Sequence, residues 1–97
     1  MPISTPLTAR LGIRHPILSA PMDFIAGARL TRAVSVAGGF GILGGGYGDR
    51  AWLEQETAKL ADASDPFGIG FITWSLAKQP ALLDIALEAR PLSLIHI

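Results

Sequence analysis

The run Gly38-Gly39-Phe40-Gly41-Ile42-Leu43-Gly44-Gly45-Gly46-Tyr47-Gly48 decides how the chain is read. Over residues 39–44 it contains a formal G-x-G-x-x-G, a string that in dinucleotide-binding folds follows a strand and opens a helix. Here the order is reversed. Residues 26–37 place Leu30, Val34 and Ala37 at helical spacing, Arg29 and Arg32 point elsewhere, and Gly38 suits a helix end. Phe40, Ile42 and Leu43 are therefore themselves the strand. The glycines after them form the loop at its carboxyl end.

Two further apolar runs, residues 17–20 and 67–73, are bounded by Pro or Gly and lack polar alternation, as expected of parallel strands buried on both faces. Asp49 can cap a helix that buries Leu53, Thr57, Leu60 and Ala61 and leaves Glu54, Glu56 and Lys59 outside. Pro80 suits the first turn of another helix, with Leu82, Ile85, Ala86 and Ala89 buried before Pro91 ends it. The predicted order is βαβαβα, an α/β chain with a parallel sheet. Two completions fit this pattern: a doubly wound sheet, or the first three βα units of a (β/α)8 TIM barrel, incomplete at this length.

At 97 residues there is room for one domain at most, and 49% hydrophobic against 16% charged residues excludes a disordered tail or a coiled coil. Eight basic and eight acidic residues cancel, which gives no support to nucleic-acid or anionic-membrane binding. A small-molecule ligand is expected instead. There is no cysteine, hence no disulfide framework, thiolate metal site or cysteine nucleophile. No secretory leader or membrane-spanning run is legible, so the expected location is cytoplasmic.

Ligands of α/β folds gather where strands run into helices, which singles out Ser19-Ala20-Pro21-Met22-Asp23 and the glycines from Gly44 to Gly46. Pro21 stiffens its turn, and the Met22 thioether can lie against a planar aromatic ligand or plug a core. Asp23 is either a site carboxylate or a helix cap. Gly44 to Gly46 would let backbone approach a ligand closely, or simply form a loop. Gly68 and Gly70 project to one face of their strand, and tight interior packing is the simpler account of them. Trp74 and Tyr47 can line a pocket mouth or cover apolar surface. His15 precedes the first strand, at the opposite end from the expected site, and reads as structural. No metal-ligand cluster or nucleophile–base pair is visible.

Four segments taken together, Leu11-Gly12-Ile13-Arg14-His15-Pro16-Ile17, Ala20-Pro21-Met22, Ala37-Gly38-Gly39-Phe40-Gly41-Ile42-Leu43-Gly44 and Pro66-Phe67-Gly68-Ile69-Gly70, resemble the amino-terminal third of the nitronate monooxygenase family, formerly 2-nitropropane dioxygenase. The resemblance implies an FMN-dependent TIM barrel that oxidises alkyl nitronates with O2, the flavin taking an electron from the bound anion to give a carbonyl compound and nitrite. It implies that Ala20, Pro21 and Met22 lie beside the isoalloxazine ring. Gly70 stands where many members carry a flavin-contacting asparagine. The flavin phosphate loops and the usual catalytic histidine of the family match nothing here, and His15 and His96 fit no such motif. No catalytic residue is therefore assigned. The cofactor-binding set is Ala20, Pro21, Met22, Asp23, Gly44 and Gly70. The same Ser19–Asp23 segment and glycine run also resemble inosine monophosphate dehydrogenase, whose usual lead-in is missing.

The last six residues, Leu92-Ser93-Leu94-Ile95-His96-Ile97, look strand-like. They are also what CTG TCT CTT ATA CAC ATC encodes, a sequence resembling the mosaic-end adaptor of transposase-made libraries. Residues 1–91 are accordingly expected to be the amino-terminal part of the flavin barrel and 92–97 a non-native tail. On this view the chain alone is inactive and holds no FMN stably. A non-catalytic truncated or short structural protein is the function of a different class, and it predicts cooperative unfolding without ligand.

Overall fold

The computed structural model describes residues 3–22, 25–45, 49–62 and 64–96. Its elements are α1 (Pro6–Leu11), α2 (Ala28–Val36), β1 (Gly41–Gly44), α3 (Arg50–Lys59), β2 (Phe67–Phe71), α4 (Thr73–Lys78), α5 (Ala81–Glu88) and β3 (Ser93–His96). The strands form one parallel sheet in the sequential order β1-β2-β3, with Gly41 opposite Phe67 and Gly68 opposite Ser93. Ahead of β1, Leu18 makes a single parallel bridge to Phe40. Consecutive parallel neighbours without a reversal are what the wall of an incomplete (β/α)8 barrel requires.

The pleat divides the sheet into two faces. Leu43, Phe67, Ile69 and Phe71 pack outward with Leu53, Leu60, Leu82 and Ala86 from the helices. Phe40 and Ile42 pack inward with Ile13 and, half-buried, Leu11. On that inner face Gly68 leaves room for the Phe40 ring, whose Cε2 would lie 3.0 Å from a Cβ at this position. Close packing thus accounts for one of the two strand glycines.

Several expectations are corrected. Residues 17–20 make no continuous strand: they contribute one bridge, and Ile17 and Leu18 are exposed. Pairing on one side only, through Phe40 N–H to Ile17 O (2.9 Å) and Ser19 N–H to Phe40 O (3.0 Å), leaves their other edge uncovered. The strand expected over residues 67–73 stops at Phe71, because Ile72 accepts the first amide bonds of α4 from Ser75 and Leu76. Helix α1 was not foreseen, although its signals are local: Thr5 and Thr8 cap each other's backbone amides, Pro6 opens the helix and Gly12, at φ 68°, closes it.

The buried face of α2 also differs, with Ala28, Thr31 and Ser35 inside and Ala37 exposed. Small residues face the sheet because the helix lies against a glycine. A Cβ on Gly41 would run into the Thr31 carbonyl, with Thr31 Cα 2.8 Å away. The Ser35 hydroxyl accepts from Gly41 N–H (3.1 Å) and donates to Pro66 O (2.8 Å), tying the starts of β1 and β2 together. This close approach has a cost, since Thr31 Oγ1 is buried without a hydrogen-bond partner.

Helices α2 and α3 hold each other at both ends. Glu56, expected outside, is buried and accepts from Ala28 N–H (3.1 Å) at the start of α2. Arg32 donates to Lys59 O (2.7 Å) at the end of α3 and pairs with Asp62 (2.9 Å). An anion at a helix start and a cation at a helix end both suit the macrodipole.

Two outcomes follow from these contacts. Gly41→Ala is expected to cost about 3 kcal/mol or more, because backbone cannot move aside, whereas Gly12→Ala, in open space at positive φ, is expected to cost about 1–2 kcal/mol. Denaturant unfolding of both variants measures the ranking, and equal costs would contradict it. The hydrogen bond from Arg32 holds the Asp62 carboxyl below its ordinary 3.8. A depressed folded value stabilises above the unfolded one and is lost as pH falls through the folded one. Wild type should therefore exceed Asp62→Asn in stability at pH 7 by a small, salt-sensitive margin that closes as pH drops below 3.8. A margin that widens in acid would contradict this pairing.

Candidate functional site

The segments after residues 17–19, β1 and β2 emerge at the same end of the sheet and touch. Gly44 and Gly70 are register partners in β1 and β2. Just beyond them Gly45 N–H donates to Gly70 O (2.7 Å), and a Cβ on Gly45 would lie 2.6 Å from Phe71 Cδ1. Pro21 closes the group from the other side, its ring filling the space that a Cβ on Gly70 would need, with Ile42 Cγ2 at 3.6 Å. The two site glycines are thus contact points between backbones.

Pro21 is half-buried, whereas Ala20 and Met22 are exposed, Met22 at 44%. The Met22 carbonyl accepts from Ile25 N–H (2.9 Å) and Ala26 N–H (3.2 Å), a turn that leads into α2. Ala26 O in turn accepts from Gly44 N–H (2.8 Å). Of the sequence-derived set, Ala20, Pro21, Met22, Gly44 and Gly70 are brought to one end of the sheet, while Asp23, with Gly46 and Tyr47, lies outside the described residues. His15 sits at the opposite end, where its amide donates to Gly38 O (3.0 Å).

A flavin is tested by what this surface offers. The exposed Ala20 methyl and Met22 thioether, braced by Pro21, suit the face of an apolar planar ring. The amides of Gly44 and Gly45 are already used inside the protein, so these two glycines offer close approach and no phosphate cradle. The surface suits the ring of a flavin and not its phosphate. Nearby, at the start of α4, Trp74 is 58% exposed and Lys78 Nζ lies 5.3 Å from its ring centroid. Among the described residues no group of three or more His, Cys, Asp or Glu could hold a metal ion, and no helix is long and apolar enough to cross a membrane.

Two residues behind the site were not anticipated. Trp52 Nε1–H donates to Gly44 O (3.1 Å), and Glu56, one turn further along α3, reaches the start of α2. Glu56 falls at i+3 between Leu53 and Leu60 on the buried stripe, a spacing that was available in the sequence. A groove of about 1040 Å³ between α3 and α5, lined by Arg50, Asp84 and Arg90 among others, reaches Pro66 and Leu92 at the amino ends of the strands, away from this site.

The family model for nitronate monooxygenase matches residues 4–91. The (3aS,4S,5R,7aS)-5-hydroxy-7a-methyl-1-oxo-octahydro-1H-indene-4-carboxyl-CoA dehydrogenase of Mycobacterium tuberculosis is 40% identical over 70 residues, and its Rhodococcus jostii counterpart is 35% identical over 87. A "Probable nitronate monooxygenase" of Staphylococcus saprophyticus is 37% identical over 70 residues. These alignments take in 71%, 89% and 71% of this chain but only 20%, 24% and 20% of the relatives, whose names are those of oxidoreductases. FabK from Thermotoga maritima superimposes with a TM-score of 0.81 at 30% identity, over 97% of this chain and 30% of that one. With a match that spans residues 4–91 and a barrel-wall fold beneath it, the chain belongs to the nitronate monooxygenase family.

Proposed function

We propose that residues 4–91 supply the first strands and the ring-side loop of an FMN-dependent barrel that oxidises alkyl nitronates with O2. The observation that carries this reading is the convergence of Pro21, Gly44, Gly45 and Gly70 at the carboxyl end of the sheet, which leaves Ala20 and Met22 exposed above them. Ala20, Pro21 and Met22 would hold the ring by apolar contact, and the bound flavin supplies the electron acceptor for the oxidation. The residues themselves bind and orient. Pro21 fixes the approach of the loop by packing onto Gly70, and Met22 adapts to the ring surface. Proton transfer and phosphate binding fall to residues outside this chain. The substrate is then a small nitronate anion handled in the cytoplasm, with no nucleic acid or membrane involved.

A second reading rests on a specific observation: two relatives, at 40% and 35% identity, carry the name of a bicyclic acyl-CoA dehydrogenase. It keeps the barrel and changes the substrate to a CoA thioester. The deciding experiment amplifies the source locus past codon 91 without a transposase step, expresses the continuous reading frame and supplies it with FMN. Oxygen uptake matched by nitrite from an alkyl nitronate is expected. Oxidation of a bicyclic CoA thioester without nitrite would favour the second reading. A frame that stops after Ile97 would leave a short structural protein and end both.

A further inference from the structure

We infer that Glu56 and Trp52 of α3 are positioning residues for the mouth of the site, holding the Met22 turn and Gly44 in fixed relation; the inference rests on the flavin reading above. A carboxylate that is 5% exposed is costly to bury, and this one is committed to a single task. Its Oε1 accepts from Ala28 N–H at 3.1 Å, and its Oε2 is neutralised by Lys59 Nζ at 2.7 Å, whose own side chain is 65% exposed. The space it enters exists because residue 27 is glycine. A Cβ there would collide with Glu56 Oε1, and Trp52 Cη2 would be 3.2 Å away.

One turn earlier on the same helix, the Trp52 indole donates to Gly44 O at 3.1 Å, while Gly44 N–H donates to Ala26 O at 2.8 Å. Ala26 N–H closes the path onto Met22 O at 3.2 Å. Two side chains of α3 therefore grip both lips of the mouth, the start of α2 below Met22 and the end of β1 at Gly44. Apolar residues of similar volume would fill the space but could not accept from Ala28. Position, not packing alone, is what the pair supplies.

Residue-resolved amide exchange on the whole chain tests this, with Glu56→Ala, Glu56→Gln and wild type compared. In Glu56→Ala the amides of Ala26, Ala28 and Gly44 should exchange about tenfold faster or more, with the β2 amides unchanged. Glu56→Gln keeps an acceptor for Ala28 and should restore protection to within about twofold. Should Glu56→Ala not fold, Trp52→Phe gives the same comparison at Gly44 by removing the indole donor. Uniform acceleration that includes β2 would reduce Glu56 to general stability and overturn the inference. So would unchanged protection in Glu56→Ala or Trp52→Phe, or equal loosening in Glu56→Gln. A parallel titration with excess FMN keeps the two readings apart. If the protein expressed from the frame continued past codon 91 shows no FMN-dependent change at Met22, the flavin reading fails while the exchange comparison still judges the positioning role.

Discussion

The contact on which the rest depends is between the α carbon of Gly41 and the backbone of Thr31. Without a Cβ on β1, α2 lies directly on the strand, and Ser35 is then close enough to bridge Gly41 N–H and Pro66 O. That bridge sets the starts of β1 and β2 side by side, and the register carries forward from Gly41 opposite Phe67 to Gly44 opposite Gly70. The carboxyl ends meet where they do because the amino ends are pinned there. Pro21 then completes the arrangement by occupying the space left by Gly70.

Around this contact the charged side chains are few and specifically placed. Glu56 serves the start of α2 and Arg32 the end of α3, so each helix supplies the group that the other's terminus lacks. The reach of Arg14 to Val36 O (3.2 Å) does the same for the end of α2. The exposed pairs, Arg50 with Glu54 and Arg32 with Asp62, add little by themselves. Arg32 contributes through helix placement by donating to Lys59 O, whereas the Arg50 pair lies within α3, and helix placement sets the loops.

Much of this was legible in the residues. Hydrophobic spacing locates α3 and α5, and the reversed order of helix and glycine run excludes the dinucleotide reading from the residues alone. The carboxyl-end location of Ala20, Met22, Gly44 and Gly70 followed from the strand order alone. What periodicity could not supply was distance. It assigns the inward face of α2 to Leu30, Val34 and Ala37, whereas the face packed on Gly41 buries Ala28, Thr31 and Ser35. It likewise placed Glu56 in solvent because charge outweighed position, although residue 56 lies on the same stripe as Leu53 and Leu60. Residues 17–20 form one bridge and no strand for a related reason, since an apolar run indicates a capacity for burial and not the presence of a partner.

The family match and the structural likeness to FabK fix the architecture, and the role proposed for the carboxyl-end mouth is a surface for the flavin ring. The direct test is deuterium exchange, with and without excess FMN, of the protein expressed from the reading frame continued past codon 91, read by peptide. Slower exchange confined to peptides containing Ala20 to Met22, Gly44 with Gly45, and Gly70 is the predicted result. Slowing in the α3–α5 groove at Arg50, Asp84 and Arg90 with none at the mouth would contradict the account.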